Sequence, residues 1–367
     1  MNVVEFSYDG DLEIGYLSRL FDNTSECYKF FWFQAIMTKV IAGKDTFSYE
    51  ELVDEMITDA WYMVSEYHLN LGPNDTLEKT VDYLKQTTSI KSSEKKEALL
   101  DYIKNTDDSE LIRKKKTLIN DVPYRIQAPF INIKTVEWNK GKKALIETIN
   151  KKERLMYKYS EYNGLETEIR MSRDWFDYLS SNREIIFGWL KFNMINYLQR
   201  RNPTVPGISD KLEPPQERKL ESVKKFWLTI VDICPLHEIY NSQKITEKNI
   251  SVDHFVPWSY IANDEFWNLH PTTRHINSSK NNNLPDWNTY FPLLCKQEYK
   301  AYKLIWENNS VHTSFEKCRK THMNSEEVKK NLYRKGLSER EYFERLEAIM
   351  APVYQAARNC GFKKWSY

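Results

Sequence analysis

Apolar residues recur at helical spacing through most of the first 120 positions, and each stretch opens on a capping signal. Asn23, Thr24 and Ser25 precede Phe30, Phe31, Phe33, Ile36 and Val40, and Gly43 follows where a left-handed residue ends a helix. Ser48 with Glu51 spells a capping box ahead of Leu52, Met56, Ile57, Trp61 and Met63. Asp75 with Glu78 does the same before Val81 and Leu84, and Ser92 or Ser93 heads Ala98, Leu99 and Ile103. Over 121–133 the pattern changes to VPYRIQAPFINI, whose two prolines and alternating apolar positions predict extended chain. Helices are predicted again at 142–152, 173–179 and 183–201, the last with Ile185, Ile186, Trp189, Leu190, Asn193 and Tyr197 on one face. Pro203, Pro206, Gly207, Pro214 and Pro215 then break the chain. A further helix is expected at 216–230, and the last of the closing helices starts at Ser338 with Glu341 and stops at Gly361. The expected fold is mainly α with a small α+β insert. Its divisions are an N-terminal helical domain (1–120), a middle helical region with an extended crossover and Pro-rich linker (121–215), a chemistry-bearing segment (216–290) and a basic helical region (291–367).

Composition supports the helical reading, because 10 Gly and 13 Pro in 367 residues leave little for Gly-rich hairpins. With 41% apolar and 14% aromatic residues the chain can bury sizeable cores, and the aromatic run from Phe30 to Phe33 reads as core and not as a base-stacking platform. The charge of +1, from 53 basic and 52 acidic residues, gives no global attraction to a polyanion, so any nucleic-acid surface is local. Five scattered cysteines and an acidic start without an apolar leader predict a cytoplasmic protein. The most apolar segment, 28–42, holds Lys29, Gln34 and Lys39 and is too short to span a bilayer.

The chemistry concentrates in CPLHEIYNSQKITEKNISVDHFVPWSYIANDEFWNLHPTTRHINSSKNNNLP, beginning at Cys234. Asp253-His254 ends a strand-like run, and Pro257 supplies the bend that lets two adjacent strand residues serve one site. Asn268 stands fourteen residues after His254 and Asn277 twenty-three after it. His254 suits a general base, and Asp253 with the Asn277 carboxamide oxygen suits Mg²⁺ or Mn²⁺ better than zinc. Asn268 is expected to accept the Nδ1 proton of His254, leaving Nε2 as the base. Lys280, one turn beyond Asn277, is placed to hold a phosphate, with Arg274 as a second candidate. His270 and His275 read as solvent or packing residues.

At these residues the segment resembles the HNH, or ββα-metal, nuclease module. The pattern is carried by Asp253-His254-Phe255-Val256-Pro257, Asn268-Leu269, Asn277-Ser278-Ser279-Lys280 and the trailing Asn283-Leu284-Pro285. Its spacings are similar to those of the HNH domain that cuts the target strand in RNA-guided CRISPR nucleases. The resemblance implies that Asp253 and Asn277 hold one Mg²⁺, that His254 is the base and that Asn268 orients it. It covers about 55 residues. Where many such modules carry a second Cys-x-x-Cys pair, this chain has Thr273 and Ile276, so no zinc is expected. Phe255, Trp258, Tyr260, Phe266 and Trp267 are expected to pack in its place.

Charge is uneven: 231–290 holds 4 basic and 7 acidic residues, whereas 296–367 holds 15 and 9. The expected phosphate grip therefore lies in the C-terminal helices, on Lys317, Arg319, Lys320, Lys329, Lys330, Arg334 and Lys335, together with 113–116 and 140–143. The reading is a metal-dependent DNA endonuclease of restriction or anti-phage defence type. Its N-terminal helical region is read as sensing a ligand or binding a protein partner. The rivals are a sequence-specific restriction or homing nuclease and a catalytically silent scaffold.

Overall fold

The computed structural model describes residues 12–22, 24–131, 138–214 and 218–367. The expected cap at Asn23, the end of the extended stretch at Ile133, and Pro215 with Gln216 lie outside the described residues. Helix predominates, strands are few and short, and the chain forms two compact units, 1–203 and 204–367.

In the first unit, helices α1 (Tyr28–Ile41), α2 (Tyr49–Trp61), α3 (Thr76–Thr87), α4 (Lys96–Asn105) and α5 (Ser109–Leu118) are followed by α6 (Lys142–Asn150), α7 (Arg173–Ser181) and α8 (Arg183–Arg201). Phe30, Phe31, Trp32 and Phe33 are all buried, so the aromatic run is core. The Ser48–Glu51 box forms reciprocally, and Gly43 adopts φ +79° after α1. Asp75 caps α3 alone, because Glu78 turns back to the Leu71 amide. Where the sequence predicted extended chain, residues Val122–Arg125 form a helical turn. Pro123 sits in its first turn, where a missing N–H costs nothing.

A three-stranded antiparallel sheet, β1 (Thr46–Ser48), β3 (Glu168–Met171) and β2 (Tyr157–Tyr159) in that order, gave no readable signal because its strands are three or four residues long. It pairs Phe47 with Ile169, joining residues on either side of position 120 within one unit. Lys115, counted among the phosphate-binding candidates, is instead buried, 2.7 Å from Asp54 and 3.2 Å from Glu50. Ile185 is 62% exposed although its expected neighbours Ile186, Trp189, Leu190 and Tyr197 are buried.

The second unit begins with α9 (Glu221–Ile233) and a β-hairpin of β4 (Ile250–His254) and β5 (Leu269–Thr273), followed by α10 (Arg274–Lys280). After β6 (Leu284–Pro285) come α11 (Trp287–Glu307), α12 (Asn309–His322), α13 (Glu326–Leu332) and α14 (Glu339–Asn359), and β7 (Lys364–Trp365) pairs in parallel with β6. The Ser338–Glu341 box opens α14 as expected, and Gly361 (φ +90°) follows its end. Two aromatic clusters flank the hairpin. Phe266 packs 5.1 Å from Phe226 and 5.8 Å from Phe315, while Phe255 lies 6.2 Å from Trp287 and 6.3 Å from Phe291. Each buried aromatic contributes about 1.5–3 kcal/mol, so hydrophobic packing anchors the chain where it leaves β4 and where it enters β5.

Candidate active site

Strand β4 ends at His254, and its antiparallel register sets Asp253 opposite His270 and His254 opposite Leu269. The Thr273 hydroxyl accepts the Ile276 amide, so α10 starts directly at the end of β5. Asn277 and Lys280, three residues apart, then share the helix face turned to β4. The Asn277 amide group donates to Ser251 Oγ at 2.9 Å and to the Val252 carbonyl at 3.1 Å, which leaves Oδ1 as its remaining acceptor.

Asp253 is buried at the centre. Lys280 Nζ lies 3.1 Å from Oδ1 and also donates to the His254 carbonyl at 2.7 Å. On Oδ2 the Tyr240 hydroxyl donates at 3.1 Å, and His270 Nε2 stands 3.3 Å away. Burial alone would raise the Asp253 pKa, but the Lys280 ammonium and His270 outweigh it and hold the carboxyl well below the usual range. Lys280 was expected against a phosphate. It is only 1% exposed, because the helix face it shares with Asn277 packs on the strand. His270, expected as a packing or solvent residue, is fully buried and in the Asp253 network. Since the Tyr240 hydroxyl already donates to Asp253, His270 Nε2 carries the proton, and its buried Nδ1 has no partner among the described residues.

His254 has a neighbour at each ring nitrogen: Asp264 Oδ1 at 2.8 Å from Nε2, and Arg218 Nη1 at 3.4 Å from Nδ1. A guanidinium has no acceptor, so Nδ1 must present its lone pair and Nε2 must carry the proton given to Asp264. Burial lowers the His254 pKa, with Arg218 acting the same way and Asp264 opposing. The expected tautomer is thus reversed. Asn268 does not orient the ring: its carboxamide accepts the Val256 amide and donates to the Val256 carbonyl, both at 2.8 Å, and its own carbonyl accepts the Phe255 amide. It clamps the two residues that follow His254.

Asp253, His254, Asn277, Lys280 and Arg218 line one open cleft of about 100 Å³. Arg218 is carried by the Trp258 ring, 5.5 Å from its guanidinium. Arg274, Lys317, Arg319 and Lys320 are exposed but do not line this cleft, and Arg319 is paired with Glu316 at 2.7 Å. His322, at the end of α12, faces the Asp264 carbonyl at 3.2 Å and Ser222 Oγ at 3.0 Å, which fixes the loop that bears Asp264. Sequence reading missed Asp264 and Arg218. The first could have been sought as a carboxylate in the polar Asn263-Asp264-Glu265 loop between the strands, whereas nothing local marks Arg218.

Phe255, Tyr260, Phe266 and Trp267 are buried as expected and Trp258 is half-buried, while Cys234 is a half-buried thiol in no disulfide. Among the described residues no three His, Cys, Asp or Glu side chains form a metal-binding group. The oxygen donors of the cleft, an ionised Asp253 and Asn277 Oδ1, fit a hard divalent ion that takes its other ligands from water and phosphate.

Residues 237–286 match the family model for HNH endonucleases, and the rest of the chain has no recognised family. That family consists of nucleases, which generally use divalent metal ions and act on nucleic acid. No curated protein and no solved structure matches the chain. No helix among the described residues is long and apolar enough to cross a membrane.

Proposed function

We propose that this protein is a DNA endonuclease whose 250–280 hairpin and helix form a ββα-metal module. The observation that carries the reading is the convergence of Asp253, His254 and Asn277 on one cleft, with the His254 Nδ1 lone pair turned to Arg218, a cation that also lines it. Once Arg218 has left it for a substrate phosphate, His254 Nδ1 takes a proton from water as that water forms a bond to phosphorus. The P–O bond to the leaving sugar oxygen breaks, and that oxygen keeps the electron pair and takes a proton from solvent. Asp264 holds the Nε2 proton and so fixes the reactive tautomer. When bound at Asp253 and Asn277 Oδ1, an Mg²⁺- or Mn²⁺-type ion supplies positive charge against the charge developing on the phosphate. Arg218 and the exposed cations Arg274, Lys317, Arg319 and Lys320 bind backbone phosphates.

The first unit, in this reading, controls the nuclease by binding a ligand or protein partner, as in bacterial restriction or anti-phage defence. Supercoiled plasmid incubated with Mg²⁺ tests the enzymatic claim, alongside labelled single- and double-stranded DNA and RNA. Nicking by the wild type and at least a hundredfold slower nicking by His254→Ala is expected. Equal rates for the two would remove the assignment.

A further inference from the structure

The catalytic cleft is small, at about 100 Å³, and open to solvent. A second pocket of about 390 Å³ lies next to it along the chain. Asn282 lines the cleft and Leu284 lines the pocket, at most about 7 Å apart, which is roughly two steps of a stacked nucleic-acid strand. Just before them Asn281, which also lines the cleft, holds φ +47°, ψ −136°, a conformation an L-residue keeps only when its surroundings enforce it.

The pocket combines aromatic walls with cationic side chains at its rim. Trp287, Tyr354 and Phe362 wall it, and Trp287 is fixed by stacking on Phe291 at 4.0 Å. The Tyr354 hydroxyl is committed to the Pro285 carbonyl. On the rim, Lys364 is paired with Asp286, whereas the exposed Arg358 guanidinium has no ion pair or hydrogen bond among the described residues. Both sides of the pocket are tied to the catalytic residues. Phe255, next to His254, packs on Trp287 and Tyr354, and Trp365 of β7 lies 5.0 Å from the ring of Tyr240, whose hydroxyl holds Asp253.

We propose that this pocket is a nucleotide subsite that takes one unpaired nucleotide of the substrate strand, its base against the aromatic walls and its phosphate on Arg358. It deepens the nuclease reading, on which it rests, by giving the substrate class: single-stranded DNA, or a duplex with an unstacked base within a few nucleotides of the cut. A fully paired, stacked strand presents no base to such walls.

The test uses the full chain carrying His254→Ala, in EDTA, with short single-stranded oligonucleotides that place 2-aminopurine at successive positions. One position near the centre of the bound segment should change its fluorescence at least twofold. Adding Arg358→Glu, an exposed position where the fold should tolerate the change, should weaken binding roughly tenfold. Adding Trp287→Ala should remove the fluorescence response. In the His254-intact enzyme, Arg358→Glu should raise KM about tenfold and leave kcat within twofold.

Unchanged affinity in the Arg358→Glu variant, no responsive position, or equally tight binding of a blunt, fully paired duplex overturns the proposal. So does free dAMP displacing the oligonucleotide at concentrations no higher than the oligonucleotide itself requires, which would make this a site for free nucleotides. If the responses appear while the wild type cleaves nothing in Mg²⁺, the subsite stands and the nuclease reading falls. If the wild type cleaves with a KM insensitive to Arg358, the reverse holds.

Discussion

At the scale of single residues, the proton on His254 decides what the cleft can do. With Arg218 at Nδ1 and Asp264 at Nε2, the ring is held neutral with its lone pair at Nδ1. Because burial lowers its pKa below the usual value near 6.5, the basic form persists to lower pH than for a free histidine. The acid limb of the cleavage rate should therefore fall below pH 6.5, and a limb above that value would contradict the buried, neutral assignment. The same shift affects stability. A group whose folded pKa is lowered favours the fold above its unfolded value, and that contribution is lost as pH falls past 6.5 towards the lowered value. Asp264→Asn keeps the shape and weakens the hold on Nε2–H. It should slow cleavage about 10–100-fold, and because Asp264 raises the His254 pKa it should also move the acid limb further down. A slower enzyme with an unmoved limb would mean that Asp264 acts elsewhere.

At the scale of elements, the hairpin and α10 matter because they hold Asp253 and His254 of one stretch and Asn277 of another on one cleft. Asn268 is the clearest case. Its two carboxamide bonds to Val256 are buried, so Asn268→Ala leaves a backbone donor and acceptor unpaired and should cost about 2–4 kcal/mol. Thermal unfolding measures that loss, and a change under about half a kcal/mol would mean that the clamp is dispensable. The sequence made the existence and order of these elements legible, since Asp253, His254, Asn268 and Asn277 keep a recognisable spacing and Pro257 marks the turn. It could not reveal the pairing of ring nitrogens, because Asp264 and Arg218 approach His254 from a loop and from the start of another segment. Lys280 was misjudged for a related reason: helical spacing gives its face, but only the packing of α10 on β4 decides that the face is buried. The short sheet of the first unit was invisible because three residues of alternation carry too little pattern to read.

At the scale of the whole molecule, two compact units share one chain, and the candidate chemistry lies wholly in the second. Ser48→Ala removes a capping box in the first unit and should lower that unit's stability by about 0.5–2 kcal/mol. If the first unit only restrains or aims the nuclease, the variant should leave maximal Mg²⁺-dependent nicking within about twofold. A collapse of activity with the fold retained would place the first unit in the reaction itself. Comparing the full chain with a version lacking residues 1–203 tests control directly, since unchanged rate and specificity would leave the first unit without the proposed role.

The Lys280–Asp253 pair has one more consequence, and it concerns the protein at rest. Small domains built around a metal fall apart when the metal is stripped, because the free energy of binding the metal is what folds them. Here the charge of the buried carboxylate is already balanced by an ammonium covalently part of the chain. The protein is therefore expected to mature and persist without regard to metal supply, with chelators silencing it and leaving its melting temperature essentially unchanged. On the proposed function, the protein would stand folded in advance and idle until its ion and its strand arrive together.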